Sequence, residues 1–274
     1  MTACWAVATA GPGSAGATTL ALALAYATRG VAIEANPDGG VLAARIGLSL
    51  GTSAPGLDTL VAELGTAAAT GFVLDHAQWC ASGLPVVACA STEETAGGAV
   101  RSLGALMPAL RLLTVELFVT LDVGRYREGA SESLVSGCDG LVLVTSAATE
   151  GLACALVRLP AVLATVPRLV LAVRGSGPYP LREIVRVARE RAGVDVPVVA
   201  IPDDPQGAAG LIRPARRRPR RPSPLLRSMW ALLDEVALLG PVPAGATAPA
   251  AGAAAPPGPT GADADAAQRP GATG

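Results

Sequence analysis

The sequence predicts an α/β fold with a doubly wound, mostly parallel sheet flanked by helices. Short apolar runs alternate with helical stretches along most of the chain. Several of these runs are almost continuously apolar, which is typical of strands covered on both faces. Helices that connect parallel strands make right-handed crossovers, so we expect helices on both faces of the sheet.

The elements follow from periodicity and from the residues that end each run. Strand character is found at residues 3–9, 31–36, 84–90, 115–122, 140–146, 168–173 and 196–201. Helical character is found at residues 18–28, 56–68, 93–107, 129–136, 149–164 and 180–192. The last of these helices has Pro180 in its first turn and Gly193 at its end, which are common start and stop residues.

Composition bounds the class of protein. The chain has 274 residues, of which 51% are hydrophobic and 16% charged, so it can bury one substantial core. All 21 basic residues are arginine, so a mechanism that needs a lysine ammonium lacks its residue. The formal net charge of -1 gives no overall attraction to nucleic acid or anionic membrane. The five cysteines have no CxxC spacing, and we expect buried, reduced thiols.

A glycine-rich segment joins the first strand to the first helix. Residues 11–18, GPGSAGAT, match the pattern GxxxxGK[ST] at Gly11, Gly16 and Thr18, and depart from it at Ala17, where the pattern has lysine. In such a loop, backbone amides and the helix N-terminus face phosphate oxygens, and the threonine hydroxyl ligates magnesium. The alternative is a tightly packed βα turn that binds nothing. Because strand, loop, threonine and helix occur together, we favour the phosphate loop.

These residues resemble the MinD/ParA family of P-loop ATPases, whose deviant loop reads KGGxGKTT. Alignment on GSAGATT, residues 13–19, places Pro12 and Ala17 at the two lysines of the family and Thr18 and Thr19 at its two threonines. The resemblance continues in VAIEANPDGG at 31–40, LFVTLDVG at 117–124 and DGLVLVTSAATEGL at 139–152. It implies a nucleotide-binding domain over residues 1–212.

The resemblance also implies the site residues. The nucleotide would contact Gly11, Gly13, Ser14, Ala15, Gly16, Ala17, Thr18, Thr19, Pro202 and Asp203. Thr18 and Asp122 would hold magnesium, and Asp122 is the one candidate for a catalytic role. From the residues alone, Asp122 can equally cap a strand end, and Asp203 and Asp204 are favoured as turn formers over ligands.

Departures from the family pattern fall on catalytic positions. Both lysines are replaced, Glu34 and Asn36 stand where two aspartates are usual, and Val173 stands at the adenine-contacting asparagine. The resemblance therefore implies weak binding of ATP or ADP with magnesium, and low turnover or none. We expect a positional or regulatory pseudo-ATPase in pilus assembly, secretion, partition or division, with the TadZ/CpaE-like proteins as a specific candidate. The alternative is an active ParA/MinD-type ATPase that binds DNA or membrane.

Three further segments follow the domain. Residues 213–224 form an arginine- and proline-rich connector, 225–239 an amphipathic helix, and 240–274 a low-complexity tail that we expect to be disordered. The arginines of 213–221 could bind DNA or anionic lipid, but a solvated linker is favoured because no aromatic residues are interleaved with them. The helix could lie on a membrane or pack on the domain, and we favour packing.

The expected location is the cytoplasm, with peripheral attachment to the inner membrane face as an option. The N-terminus has no basic segment typical of a signal peptide, and its longest apolar run is far shorter than the ~20 residues of a membrane span. A homodimer or a protein partner is expected from the resemblance.

Overall fold

The structure is a computed structural model that describes residues 3–11, 15–47, 54–66, 72–113, 116–129, 131–166, 168–213 and 221–239. The predicted tail at 240–274 and most of the connector lie outside these residues. The strands are β1 (Ala3–Thr9), β2 (Val31–Glu34), β3 (Gln78–Trp79), β4 (Pro85–Val87), β5 (Phe118–Arg125), β6 (Gly140–Ser146), β7 (Leu169–Arg174) and β8 (Val198–Ile201). The helices are α1 (Ala17–Thr28), α2 (Leu42–Ile46), α3 (Leu57–Leu64), α4 (Phe72–Asp75), α5 (Glu93–Ala105), α6 (Met107–Leu113), α7 (Glu132–Ser136), α8 (Thr149–Thr165), α9 (Leu181–Ala192), α10 (Pro205–Ile212) and α11 (Pro224–Leu238).

The predicted α/β class and mostly parallel sheet are confirmed. Eight strands form one sheet in the order β3-β4-β2-β5-β1-β6-β7-β8. Among the strands of the described ranges, only the short edge strand β3 runs antiparallel, against β4. The central strand β1 is flanked by β5 and β6, so the loop that follows β1 lies at the middle of the carboxyl edge.

Side-chain alternation along β1 divides the core into two layers. Cys4, Ala6 and Ala8 point into a cluster shared with α3 and α5 to α9. Trp5 and Val7 point to the opposite face, into a cluster shared with α1, α2, α10 and α11. The sheet is therefore covered on both faces, which explains why its central strands are so uniformly apolar.

Several predicted boundaries were wrong. The strand predicted at 115–122 begins at Phe118 and continues to Arg125, so Asp122 lies inside β5 and not at its end. The short elements α2, α4 and β3 were not predicted, because their five, four and two residues are too few to display a period. The helix predicted at 93–107 ends at Ala105 as α5, and a separate helix α6, which was not predicted, begins at Met107 and continues to Leu113.

All five cysteines are free. Cys4, Cys80, Cys89 and Cys138 are buried, in line with the expected reduced thiols. Burial, together with the nearby Glu34 carboxylate, raises the pKa of Cys89 to about 12, so this thiol is protonated at neutral pH and unreactive.

Candidate functional site

The glycine-rich loop leads directly into the N-terminus of α1. Gly16 is the residue before the helix and has a φ of 93°, a left-handed conformation that glycine adopts without strain. It accepts the first helical hydrogen bond, from the Leu20 amide at 2.9 Å. Because glycine has no side chain to cap the first-turn amides, these donors can serve an anion, and the helix dipole adds to the attraction.

Some of the remaining loop residues are described in the structure and others are not. Pro12, Gly13 and Ser14 lie outside the described residues. Gly11 packs on α8, where an added Cβ would lie 3.1 Å from Cβ of Cys154. Ala17, at the lysine position of the pattern, is 4% exposed and belongs to the core beneath α1.

Arg158 of α8 supports the base of this loop. Its Nη1 donates a hydrogen bond to the carbonyl oxygen of Ala10, the residue before Gly11. The end of β1 is therefore held both by the sheet and by the helix behind it.

Thr18 and Asp122 come together beside the loop. Asp122 pairs in register with Val7 of β1, so its side chain lies next to the start of α1, where it accepts a hydrogen bond from the Thr18 hydroxyl. Its Oδ1 also accepts from the Gly124 amide at 3.1 Å. Burial raises the pKa of Asp122 to about 6, although both hydrogen bonds lower it.

This pair has the chemistry of a magnesium site. A hydroxyl and a carboxylate are hard oxygen donors, and Mg²⁺ is commonly held by one or two such groups plus waters and substrate phosphates. Among the described residues there is no cluster of three or more His, Cys, Asp or Glu side chains that could hold a metal. The residues fit a magnesium ion that arrives with a nucleotide, and do not form an all-protein cage.

Glu34 and Asn36, at the two aspartate positions of the family, have structural contacts. Glu34 is 1% exposed; its Oε1 accepts from the amides of Val41 and Leu42 at 2.8 and 3.0 Å, and its Oε2 from the Cys89 amide at 3.0 Å. Asn36 closes a turn, since its Oδ1 accepts from the Asp38 amide and its Nδ2 donates to the Gly39 carbonyl, both at 3.2 Å. Both side chains hold the segment after β2 in place.

A cavity of about 420 Å³ opens beside the loop, toward β7 and β8. Its lining includes Ala15, Gly16, Thr19, Pro202 and Asp203, all of which were predicted from the sequence as nucleotide contacts. The volume is in the range of small-molecule sites. The structure thus places the loop and the proline-acid turn on one cavity.

The sequence reasoning missed Arg174, which also lines this cavity. Val173, at the position of the family's asparagine, is 2% exposed and points into the opposite core layer. Because side chains alternate along a strand, Arg174 faces the cavity instead. The available signal was a cation at the carboxyl end of a predicted strand.

Of the predicted connector, only residues 213 and 221–224 are described, and the arginines at 214–220 lie outside. Helix α11 begins at Pro224, capped by the Ser223 hydroxyl, which accepts from the Leu226 amide at 3.3 Å. Its buried residues Leu225, Met229, Leu232 and Val236 lie in the same core layer as α1. None of the helices in the described ranges is both long and apolar enough to cross a membrane.

The glycine-capped helix, the Thr18–Asp122 pair and the central position between β5 and β6 are features of the P-loop class of nucleotide-binding fold. Within this class, the chain has the fold of the MinD and ParA ATPases. It is similar to a ParA family ATPase from Chlorobium tepidum, with a TM-score of 0.63 and 16% identity over 85% of this chain and 99% of that one. It is also similar to the cell division ATPase MinD from Pyrococcus furiosus, with a TM-score of 0.62 and 17% identity over 86% of this chain and 100% of that one.

A third similar structure is the septum site-determining protein MinD from Pyrococcus horikoshii, solved with Mg-ADP. Its TM-score is 0.59, with 21% identity over 88% of this chain and 98% of that one. At these identities the likeness establishes the fold alone. The sequence itself matches no protein-family model and no curated protein.

Proposed function

We propose that this chain is a MinD/ParA-like nucleotide-binding protein with a degenerate phosphate loop, acting as a positional or regulatory pseudo-ATPase. The observation that carries the proposal is the combination of a glycine-capped helix α1 and the Thr18–Asp122 pair with alanine at position 17. The first-turn amides of α1 and the Thr18–Asp122 pair beside it are available to hold phosphate and magnesium. The lysine side chain is not.

The proposed ligand is ATP or ADP, each with magnesium. Mg-ADP is the ligand in the MinD structure from Pyrococcus horikoshii. Amides at the start of α1 would hold the phosphates, and the cavity beside Pro202 would receive the nucleoside. Thr18 and Asp122 would hold the magnesium ion, which supplies charge neutralisation of the phosphates when bound. Ionised Asp122 is needed for this, so binding would release the proton it holds below about pH 6.

We expect weak binding and little hydrolysis. A lysine about 4 Å from a phosphate charge contributes at most about 4 kcal/mol at an effective dielectric near 20, and the backbone donors remain without it. Phosphoryl transfer depends almost entirely on positioning and charge stabilisation, so it suffers more. Asn36, held in its turn by Asp38 and Gly39, brings no carboxylate to the site.

Calorimetric titration of the full chain with ATP and ADP, each with magnesium and with EDTA, tests the proposal. Nucleotide binding that weakens at least tenfold both in EDTA and in Thr18→Ala supports the site. EDTA removes the magnesium ion, and Thr18→Ala removes one of its proposed ligands. Phosphate release by the wild type should be far below that of the Ala17→Lys variant if that variant keeps its melting temperature. Turnover by the wild type that is abolished in Thr18→Ala would contradict the pseudo-ATPase assignment.

For the cargo, we propose localisation of a pilus or secretion machine, as in TadZ/CpaE-like proteins, or of a partition or division complex, with a second copy or another protein as partner. An active ATPase that binds DNA or membrane is the alternative. Burial of the apolar face of α11 supports a packed helix over a lipid-bound one. Co-sedimentation with DNA and with anionic vesicles tests the alternative, since pelleting of the full chain with either would favour it.

A further inference from the structure

The side chain of Arg174 extends from the end of β7 across the N-terminus of α1. If Gly16 had a Cβ, that atom would lie 3.3 Å from both Cδ and Nη1 of Arg174. The guanidinium therefore lies against the residue that precedes the helix. The absence of a side chain at Gly16 leaves room for this close approach.

The guanidinium is only partly neutralised there. Its Nε is buried and has no hydrogen-bond partner among the described residues. The Asp203 Oδ1 lies 3.4 Å from this Nε, an ion pair without hydrogen-bond geometry, and the Asp203 side chain is 64% exposed. Ion pairs of this kind hold their partners weakly, so Arg174 can exchange Asp203 for another anion.

The charges around the cavity indicate where an anion that replaces Asp203 would bind. Of the described residues that line it, Arg174 carries the positive charge, and Asp203 and Asp204 the negative charge. The oxygens of Asp204 are occupied by the amides of Gly207 and Leu225, at 2.8 and 3.1 Å. The Arg174 guanidinium and the positive N-terminal end of α1 repel each other unless an anion lies between them.

We propose that Arg174 is the phosphate-binding cation of this protein, acting from β7 in place of the lysines absent at positions 12 and 17. In the free protein it is paired with Asp203, and a di- or triphosphate displaces that carboxylate. A guanidinium presents a fork of donors that matches phosphate oxygens. This inference rests on the proposed function, since it names the residue that gives the same site its affinity.

Two variants should change the affinity for the phosphate chain in opposite directions. Arg174→Ala removes the cation, so binding of the phosphate chain weakens. Asp203→Asn removes the competing carboxylate, so binding strengthens. A purely structural Arg174–Asp203 pair would lose function or stability in both.

The test is calorimetric titration of the full chain with adenosine, ADP, ATP and sodium tripolyphosphate, all with magnesium. We expect Arg174→Ala to weaken ADP and ATP at least tenfold and to leave adenosine within twofold. Arg174→Lys should recover part of the loss, and Asp203→Asn should strengthen ADP severalfold. Arg182→Ala, an exposed arginine at the start of α9, is the matched control and should change nothing. Melting temperatures without ligand identify any variant that misfolds. If Arg174→Ala misfolds, nucleotide binding by Arg174→Gln and Asp203→Asn tests the role of Arg174 instead.

The outcomes separate this inference from the proposed function. Nucleotide binding that is unchanged in Arg174→Ala overturns the role of Arg174 and leaves the nucleotide site standing. Suppose that tripolyphosphate binding depends on Arg174 and that ATP binds no more tightly than tripolyphosphate. This result supports Arg174 as the phosphate-binding cation and overturns the nucleotide assignment. If the wild type binds neither ATP nor tripolyphosphate, both are overturned.

Discussion

The Thr18 hydroxyl donates a hydrogen bond to the buried carboxyl group of Asp122, joining the first turn of α1 to the middle of β5. Asp122 is 2% exposed, so its carboxyl group is shielded from bulk water. A buried carboxylate with a neutral hydroxyl and one amide as donors is incompletely compensated. The site therefore holds a negative charge that a divalent cation would stabilise.

This burial predicts a pH-dependent stability that Asp122→Asn removes. The native pKa is about 6 and the ordinary value is 3.8, so the native state holds the proton more tightly than the unfolded chain does. The favourable contribution is complete below about pH 4 and is lost as the pH rises through 6. At roughly 1.4 kcal/mol per pKa unit, the loss is about 3 kcal/mol.

Urea unfolding without magnesium, at pH 4.5 and pH 7.5, measures this effect. The stability of Asp122→Asn relative to the wild type should increase between the two pH values, because only the wild type ionises. Magnesium with ADP should restore the stability of the wild type at pH 7.5, where Asp122 is ionised, and should not do so at pH 4.5. A stability difference that is the same at both pH values would rule out a raised pKa.

Glu34→Gln should destabilise the fold, because Glu34 accepts hydrogen bonds from three backbone amides. A glutamine presents an NH₂ group to at least one of these donors, which leaves a buried amide without an acceptor. We expect a loss of about 2 to 3 kcal/mol in the free energy of unfolding. Glu128→Gln, at an exposed position, is the control and should have little effect. An unchanged stability with altered nucleotide affinity would assign Glu34 to the ligand instead.

The sequence was sufficient for the sheet and for the region of the site, but not for every contact. Apolar runs such as 140–146 identify buried strands because both faces are covered, and the observed β6 has those same bounds. The loop was recognised because its glycines and Thr18 occupy fixed positions relative to one another. Helix α10 was missed because Gly207 and Gly210 interrupt its pattern, and its start depends on a cap from Asp204.

The role of Arg174 could not be derived from the local sequence. A strand predicted to end at Val173 leaves the next residue in a loop, whereas β7 includes Arg174 and fixes its direction. Its contact with Gly16 joins residues far apart in the chain, through the order of β1, β6 and β7 in the sheet. Such a contact depends on tertiary geometry, which periodicity does not report.

Asp204→Ala should loosen the junction between α10 and α11. One carboxylate oxygen accepts from the Gly207 amide in the first turn of α10, and the other from the Leu225 amide in the first turn of α11. We expect a loss of about 1 to 2 kcal/mol in guanidinium unfolding at pH 7. Asp234→Ala, on the exposed side of α11, is the control.

The same variant has a predicted pH dependence. Burial alone would raise the pKa of Asp204, but hydrogen bonds from Gly207, Leu225 and Ser223 lower it overall. A lowered carboxyl pKa contributes stability above the ordinary value near 4, and that contribution is lost as the pH falls through the native pKa. The wild type and Asp204→Ala should therefore differ less at pH 3 than at pH 7. A difference that grows on acidification would contradict the contacts described.

Two neighbouring residues of α11 test which face of the helix is buried. Met229 is 0% exposed in the core layer beneath α1, whereas Trp230 is 50% exposed. Met229→Ala should cost about 2 to 4 kcal/mol in thermal or urea unfolding, and Trp230→Ala less than about 1 kcal/mol. If α11 instead used its apolar face on a lipid surface, Met229→Ala would leave stability unchanged and would reduce pelleting with anionic vesicles. The order of the two effects therefore decides between a packed helix and a membrane-bound one, because the same apolar face cannot serve the core and the bilayer at once.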